Sequence, residues 1–349
     1  MGRSISRTIS RRAILVLAAL MAVGGFSSGT APASAQKSGK KVKLLLVSYA
    51  VTKAAYDEII PKFERKWKQQ TGQDLEIKSS YGGSGSQTRA VIDGLEADVT
   101  NLALAADTEK LVKAGLVNKN WESELPNNSI VTRSVVAIVT RPKNPKFIKT
   151  WKDLARPSIN VVTANPKTSG VARWNFLGLW GSVTEKGGSE QEARRFISNV
   201  YKNVDILPKD ARESTDVFIK KGQGDVLLNY ENEVLLARQN GETEYPYIIP
   251  KVNIAIDTPV TVVDKNAAKH GTTEVAKAFA KYLFEPEAQE VFASKGFRPV
   301  NQSVWSKVQN KFAKIEKLYT VNEFGGWSAA QKKFFTDGAI FDQIFSKTR

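Results

Sequence analysis

The 349 residues contain no cysteine and a single histidine, His270. The first absence excludes disulfides, thiolate metal sites and a lipid-bearing cysteine behind a leader. The second leaves any metal site to carboxylates, and no Asp-x-Asp or Glu-x-x-His spacing builds one. His270 stands in Ala268-Lys269-His270-Gly271, a polar loop after a β-prone run, and reads as a solvated surface residue. Signatures of nucleotide and acyl chemistry are also missing. Gly-x-x-x-x-Gly-Lys-Ser/Thr does not occur, and Gly82-Gly83-Ser84-Gly85 is too short for a dinucleotide fingerprint. Ser86 stands where Gly-x-Ser-x-Gly requires its last glycine. Catalysis is left as the rival to a binding role, with no cofactor and no metal expected.

Acids are outnumbered, 35 against 51 Lys and Arg, giving a formal charge of +16. The excess is dispersed among acids on helical faces and forms no arginine-rich arm, so it reads as a solvated basic surface, not a nucleic-acid interface. Residues 1–35 hold Arg3, Arg7, Arg11 and Arg12 but no acid, then the apolar run 13–26, then Ala33-Ser34-Ala35. This is the pattern of an export signal cleaved near Ala35. The run falls short of the ~20 residues that span a bilayer, so the mature chain, with a charge of +12 once those four arginines are gone, is expected free in the periplasm. Ser10-Arg11-Arg12 leaves the twin-arginine and general secretory routes both open.

What is present is an alternation of strand and helix. With 42% apolar residues the chain can fill sizeable cores, and its length suggests two domains. Strand-like 42–49 precedes a helix over 54–70 in which Tyr56, Ile59, Ile60, Phe63 and Trp67 recur at helical spacing; strand 75–80 precedes a helix over 87–95, and strand 98–103 a helix over 108–115. A long β-prone run, 131–139, suits a strand crossing between lobes, and 252–263 a second crossing that returns. Between them lie strand 159–163, helices 171–180 and 190–201, strand and turn 205–208, a helix from 216, strand 225–230 and a helix over 233–239. Mainly parallel sheets flanked by helices follow in each lobe. The boundaries fall at 36–128 plus 257–349 for a discontinuous first lobe and 129–256 for the second. A ligand would lie in the cleft, where strand carboxyl ends meet helix amino ends.

The most informative stretch is Asn165-Pro166-Lys167-Thr168-Ser169-Gly170-Val171-Ala172-Arg173. It follows a β-branched strand, and Ser169-Gly170 supplies a capping hydroxyl and unshielded backbone before an apolar helix. The first N–H groups of a helix lack intrahelical partners and carry the positive end of its dipole, so such a start can hold an oxyanion without a lysine. An ordinary capped connection has the same local pattern. The loops at 81–86 and 209–214 also follow a strand and precede a helix, which places three candidate donors at one cleft.

This nine-residue stretch resembles the signature of the prokaryotic periplasmic sulfate and thiosulfate binding proteins, and the similarity extends over almost all the mature chain. It takes in Val47-Ser48-Tyr49, Gly82-Gly83-Ser84-Gly85, Glu96-Ala97-Asp98, Gly224-Asp225-Val226-Leu227, Glu231-Asn232-Glu233 and Phe324-Gly325-Gly326-Trp327. The resemblance implies a two-lobed periplasmic binding protein of type II, monomeric, that closes on dehydrated sulfate and delivers it to the membrane permease subunits of an ABC transporter. Thiosulfate is the rival ligand, and an enzyme on the same scaffold the rival class. It further implies that Ser84, Ser169, Gly170, Val171, Ala211 and Tyr230 hold the ion, while Ser48 and Arg212 support the site without touching it. Tyr230 replaces a tryptophan of the relatives, and Ala50 stands where they often carry aspartate after Ser-Tyr.

Overall fold

The computed structural model describes residues 41–348, so the export signal and its cleavage position lie outside the described residues. β1 (Val42–Tyr49) is followed by α1 (Lys53–Thr71), whose buried stripe Tyr56, Ile59, Ile60, Phe63 and Trp67 lies against the sheet and whose end is set by Gly72 in the left-handed region, φ 72°. β2 (Leu75–Gly82), α2 (Ser84–Ile92), β3 (Val99–Asn101) and α3 (Ala105–Lys113) continue the alternation. β4 (Ile130–Ser134) and β5 (Val136–Thr140) come next, then β6 (Val161–Val162), α4 (Gly170–Thr184), α5 (Glu190–Lys202), α6 (Ala211–Ile219), β7 (Val226–Tyr230) and α7 (Glu231–Gln239). The chain then runs through β8 (Tyr247–Ile248), β9 (Val252–Ile254), β10 (Ile256–Val262), α8 (Asp264–His270), α9 (Thr273–Tyr282), α10 (Pro286–Ser294), β11 (Arg298–Pro299) and α11 (Gln302–Val308). It closes with β12 (Lys317–Tyr319), α12 (Gly326–Ala330) and α13 (Ile340–Phe345).

These strands form a six-stranded sheet in the order β11-β4-β10-β3-β1-β2, a four-stranded sheet β6-β7-β5-β8, and the pair β12-β9. The fold class is α/β, but the sheets are mixed, not mainly parallel. β1 pairs in parallel with β2 and β3, and β6 with β7, whereas β10 runs antiparallel to β3 and β4, and β5 to β7 and β8. The antiparallel members come from the two long runs that pass between sheets. Neither is one continuous strand. The first is divided at Val135, whose carbonyl leaves both ladders to accept the N–H of Glu231, and the second at Ala255. The chain therefore changes sheets at Val135, and Ile130–Ser134 lies with the larger one. Asn253 clasps the two passages together: its Oδ1 accepts Val136 N–H at 3.2 Å and its Nδ2 donates to Val136 O at 2.8 Å, fully buried.

The C-terminal segment lies on α4 and α5. Trp327 meets Trp174 edge-on at 4.6 Å, and Phe334, Phe335 and Phe341 surround Phe176. α4 is buried on nearly every side from Gly170 to Ser182, which accounts for its lack of a polar face. Residues 205–208 form no strand; Ile206 is exposed and Pro208 has no N–H to pair. Among the described residues no helix is long and apolar enough to cross a membrane.

His270 lies at the surface, as expected, but it is paired instead of free. It ends α8 exposed, with Nδ1 at 2.8 Å from Asp98 Oδ1 and Nε2 at 2.9 Å from Glu96 Oε2. Asp98, buried, also accepts Leu45 N–H and the Thr272 hydroxyl, so it ties β1 to the start of α9. Hydrogen bonds to Asp98 and then Glu96 raise the imidazole pKa above its ordinary value. A raised folded pKa contributes stability that is full below about 6.5 and is lost as pH rises through the folded value. His270→Gln is therefore expected to lower the thermal unfolding midpoint clearly at pH 5.5 and much less at pH 9; an equal loss at both would remove the charged pairing.

Candidate functional site

Three helices begin at one point. α2 starts at Ser84 after the extended Gly83, α4 at Gly170 after the extended Ser169, and α6 at Ala211 after the extended Asp210. β1, β2 and β7 end at the same place, at Tyr49, Gly82 and Tyr230, so strand carboxyl ends and helix amino ends converge. Together they line a cavity of about 170 Å³ formed by Tyr49, Ala50, Gly82, Gly83, Ser84, Ala103, Ser169, Gly170, Val171, Asp210, Ala211 and Tyr230. All six residues expected to hold an ion are in this set. The space is small and hemmed in by backbone from three helix starts, which suits a small ion and not a drug-sized ligand.

The donors differ in how free they are. The N–H groups of Ser84, Gly170, Val171 and Ala211 lie in first turns, where no intrahelical acceptor exists. Ser169, although it occupies the N-cap position of α4, makes no capping bond with its side chain. Asp210 does cap its helix: Oδ1 accepts Glu213 N–H at 2.9 Å, which turns the carboxylate onto α6. The Ser84 hydroxyl is engaged, donating to Asp107 Oδ2 at 2.7 Å and accepting Ala103 N–H at 3.0 Å, so the donor this residue can offer is its main-chain N–H. Tyr230 is buried and its phenolic oxygen has no partner among the described residues. Leaving such a group unpaired costs about 1–3 kcal/mol, a cost that a ligand in the cavity would relieve. Burial raises its pKa well above the ordinary value, which keeps the O–H protonated as a donor.

Ser48 and Arg212 do not line the cavity. Ser48 sits opposite Tyr81 and Asn101 in the sheet, shares a 2.7 Å hydrogen bond with Thr52 Oγ1 and donates to Asn101 O, which fixes the chain beneath Tyr49 and Ala50. Arg212 donates to Glu233 Oε1 at 2.8 Å and borders the open mouth of the cleft with Lys209 and Lys221. Burial pushes the Glu233 carboxyl up to about 6 against the opposing effect of Arg212.

Sequence reasoning missed a buried charge pair. Arg173 donates from Nη1 and Nη2 to Asp107 at 2.9 and 2.5 Å, with both side chains excluded from water. Burial alone would raise the Asp107 pKa; the charges of Arg173 and Lys110 and the hydrogen bonds from Arg173 and Ser84 outweigh it and bring it down to about 2. Asp107 therefore remains ionised and neutralises Arg173 locally. Arg173 lies inside the conspicuous stretch, but its partner is 66 residues away and carries no local signal. The Thr168 carbonyl was missed as well: it accepts Gly85 N–H at 3.0 Å and Ser86 N–H at 3.3 Å, while Thr168 Oγ1 donates to Lys209 O at 2.8 Å. One residue thus joins all three helix starts. Among the described residues no cluster of His, Cys, Asp or Glu could hold a metal.

The approach is close enough to require glycine. A Cβ at Gly170 would lie 2.4 Å from Ala103 Cβ, and one at Gly83 would lie 2.6 Å from Thr168 O. Gly170→Ala is expected to lower the unfolding free energy by about 1–3 kcal/mol, as overpacking does, and Ala103→Gly in the same chain to recover part of it; denaturant titration of both checks this, and an unaffected single variant contradicts it.

A family model described as bacterial extracellular solute-binding protein matches residues 44–298. The chain is 58% identical over 305 residues to a sulfate-binding protein of Synechocystis sp., covering 87% of this chain and 86% of that protein. It is 54% identical over 339 residues to a sulfate-binding protein of Synechococcus elongatus, covering 97% and 96%. A thiosulfate-binding protein of Escherichia coli is 36% identical over 311 residues, covering 88% and 92%. Among solved structures, the sulfate-binding protein SubI of Mycobacterium tuberculosis superposes with a TM-score of 0.78 at 34% identity, covering 84% of this chain and 100% of that one.

Proposed function

The chain belongs to the family of bacterial extracellular solute-binding proteins, and we propose that it captures sulfate in this cavity, in the periplasm, and delivers it to the permease subunits of an ABC transporter. The observation that carries the reading is the convergence of donors: first-turn N–H groups from α2, α4 and α6, the Ser169 hydroxyl, which makes no capping bond, and the unpartnered Tyr230 phenol. A fully ionised tetrahedral oxyanion accepts everywhere and donates nowhere, which matches such a lining. Each bond to the charged ligand is worth about 1.5–3 kcal/mol net, and a micromolar Kd corresponds to roughly −8 kcal/mol. A handful of these bonds reaches that affinity after the cost of closing.

In this reading Ser84, Gly170, Val171 and Ala211 donate from the main chain, and Ser169 and Tyr230 from hydroxyls. Ser48 and Arg212 brace the elements that present them. Two lobes, the first including β4, close by bending near Val135 and Ala255, beside the Asn253 clasp between the passages. The protein acts as a monomeric carrier, not as an enzyme, and thiosulfate is the competing ligand.

Calorimetry of the purified mature protein tests this. Sulfate is expected to bind at micromolar Kd or tighter, and Ser169→Ala to weaken it by about 1–3 kcal/mol through a lost donor. Phosphate at pH 8 is expected to bind more than about tenfold weaker, because its proton finds too few acceptors. Tighter binding of thiosulfate than sulfate would reassign the ligand, and no heat with either would overturn the reading.

A further inference from the structure

The signature loop is held from behind by a part of the chain about 170 residues later, and the contact is concentrated in one side chain. Lys167 Nζ donates to Phe335 O at 3.2 Å, to Asp337 Oδ1 at 3.1 Å and to Asp342 Oδ2 at 2.8 Å. Three acceptors match the three donors of an ammonium. Asp342 Oδ2 also accepts Gly338 N–H at 2.8 Å, so the turn that presents the carboxylate is itself fixed. Phe335 closes a π-helical turn, Gln331–Phe335, whose Phe334 and Phe335 pack on Phe176 of α4 at 5.6 and 5.4 Å. The C-terminal segment thus grips α4 through aromatic rings and the loop before it through Lys167.

That loop has no regular structure to hold its shape. Lys167 N–H donates to Asn165 Oδ1, and the N–H groups of Thr168 and Ser169 both donate to Asn165 O. What it presents forward is the Thr168 carbonyl, which accepts Gly85 and Ser86 at the start of α2, and, one residue on, the N-cap of α4. A displacement of Lys167 would be passed to both within two residues.

We infer that Lys167 is a positioning residue for the anion site: its ammonium, anchored on Asp342 and Phe335 O, holds the Asn165–Ser169 loop in the form that bonds α2 and so stabilises the closed arrangement. The inference rests on the binding role proposed above. It assigns the C-terminal segment a part in ligand retention, where aromatic packing alone would make it a cover. Of the two carboxylates, Asp342 is the anchor; Asp337 is fully exposed and contributes little. The ion pair is itself one-third exposed on both sides, so its removal should alter the balance between open and closed forms more than global stability.

Lys167→Met is expected to weaken sulfate binding about tenfold, and Asp342→Asn by a similar factor; the double variant should lose no more than either alone, because both remove one contact. Asp337→Asn should bind as the parent does, and Lys167→Arg should recover part of the loss. In ligand-free protein, amide exchange at Gly85 and Ser86 should quicken in Lys167→Met while the thermal midpoint changes little. Affinity within about twofold of the parent, additive losses in the double variant, or unaltered exchange at Gly85 and Ser86 would each overturn the inference. If Lys167→Met does not fold, Asp342→Asn carries the same comparison. Should the parent bind no sulfate, the functional reading falls, while the exchange measurement still decides whether Lys167 holds the loop against α2.

Discussion

Three helix starts can face one small cavity only if almost nothing stands between their backbones. Gly83 and Gly170 meet that condition, each at a distance where a methyl group would overlap a neighbour. The Thr168 carbonyl then bonds the first turn of α2, and its hydroxyl reaches the carbonyl before α6. The cavity, its donors and the meeting of the two large sheets all depend on this close approach. The same approach makes the site dry enough for N–H dipoles to act strongly on a charge, since a lower dielectric strengthens each interaction.

The charges near the cavity are arranged to cancel. Asp107 and Arg173 are both buried and paired through two hydrogen bonds, and Asp210 is turned onto its own helix. A buried pair of this kind is weak evidence for added stability, but removing one partner is costly because it strands the other charge. Here it links α3 to α4, and the Ser84 hydroxyl is drawn into it. The result, among the described residues, is a lining of dipoles with no free cation, which can hold an oxyanion and still release it. The dispersed basic surface lies outside this arrangement and can only raise the local concentration of anions, an effect that fades with salt.

Much of this was legible because the signals were local. The dense apolar runs marked β1 and β7, the helical spacing of Tyr56 to Trp67 marked α1, and the turn chemistry of 165–170 marked the start of α4. The failures were non-local. α2 was expected to start at Gln87, since Ser84-Gly85-Ser86 are poor helix formers, but Thr168 O accepts the N–H groups of Gly85 and Ser86 and holds that first turn in place. α6 begins at Ala211 instead of near Asp216 because Asp210 caps it. The runs at 131–139 and 252–263 read as single strands, yet each is broken, at Val135 by its bond from Glu231 N–H and at Ala255 by the bond of its N–H to Tyr319 O. The mixed pairing of the sheets follows from those same passages running against their neighbours. Asp107 and Asp342 gave no sign of their partners, 66 and 175 residues distant.

The central claim is that main-chain N–H groups from three helix starts, with no lysine or arginine among them, hold the ion. Following the amide resonances by ¹H–¹⁵N NMR while sulfate replaces chloride at constant ionic strength tests it most directly. The account predicts saturable downfield proton shifts at Ser84, Gly170, Val171 and Ala211, absent when chloride alone is varied. Shifts confined to lysine-bearing surface segments, with those four amides unmoved, would contradict it.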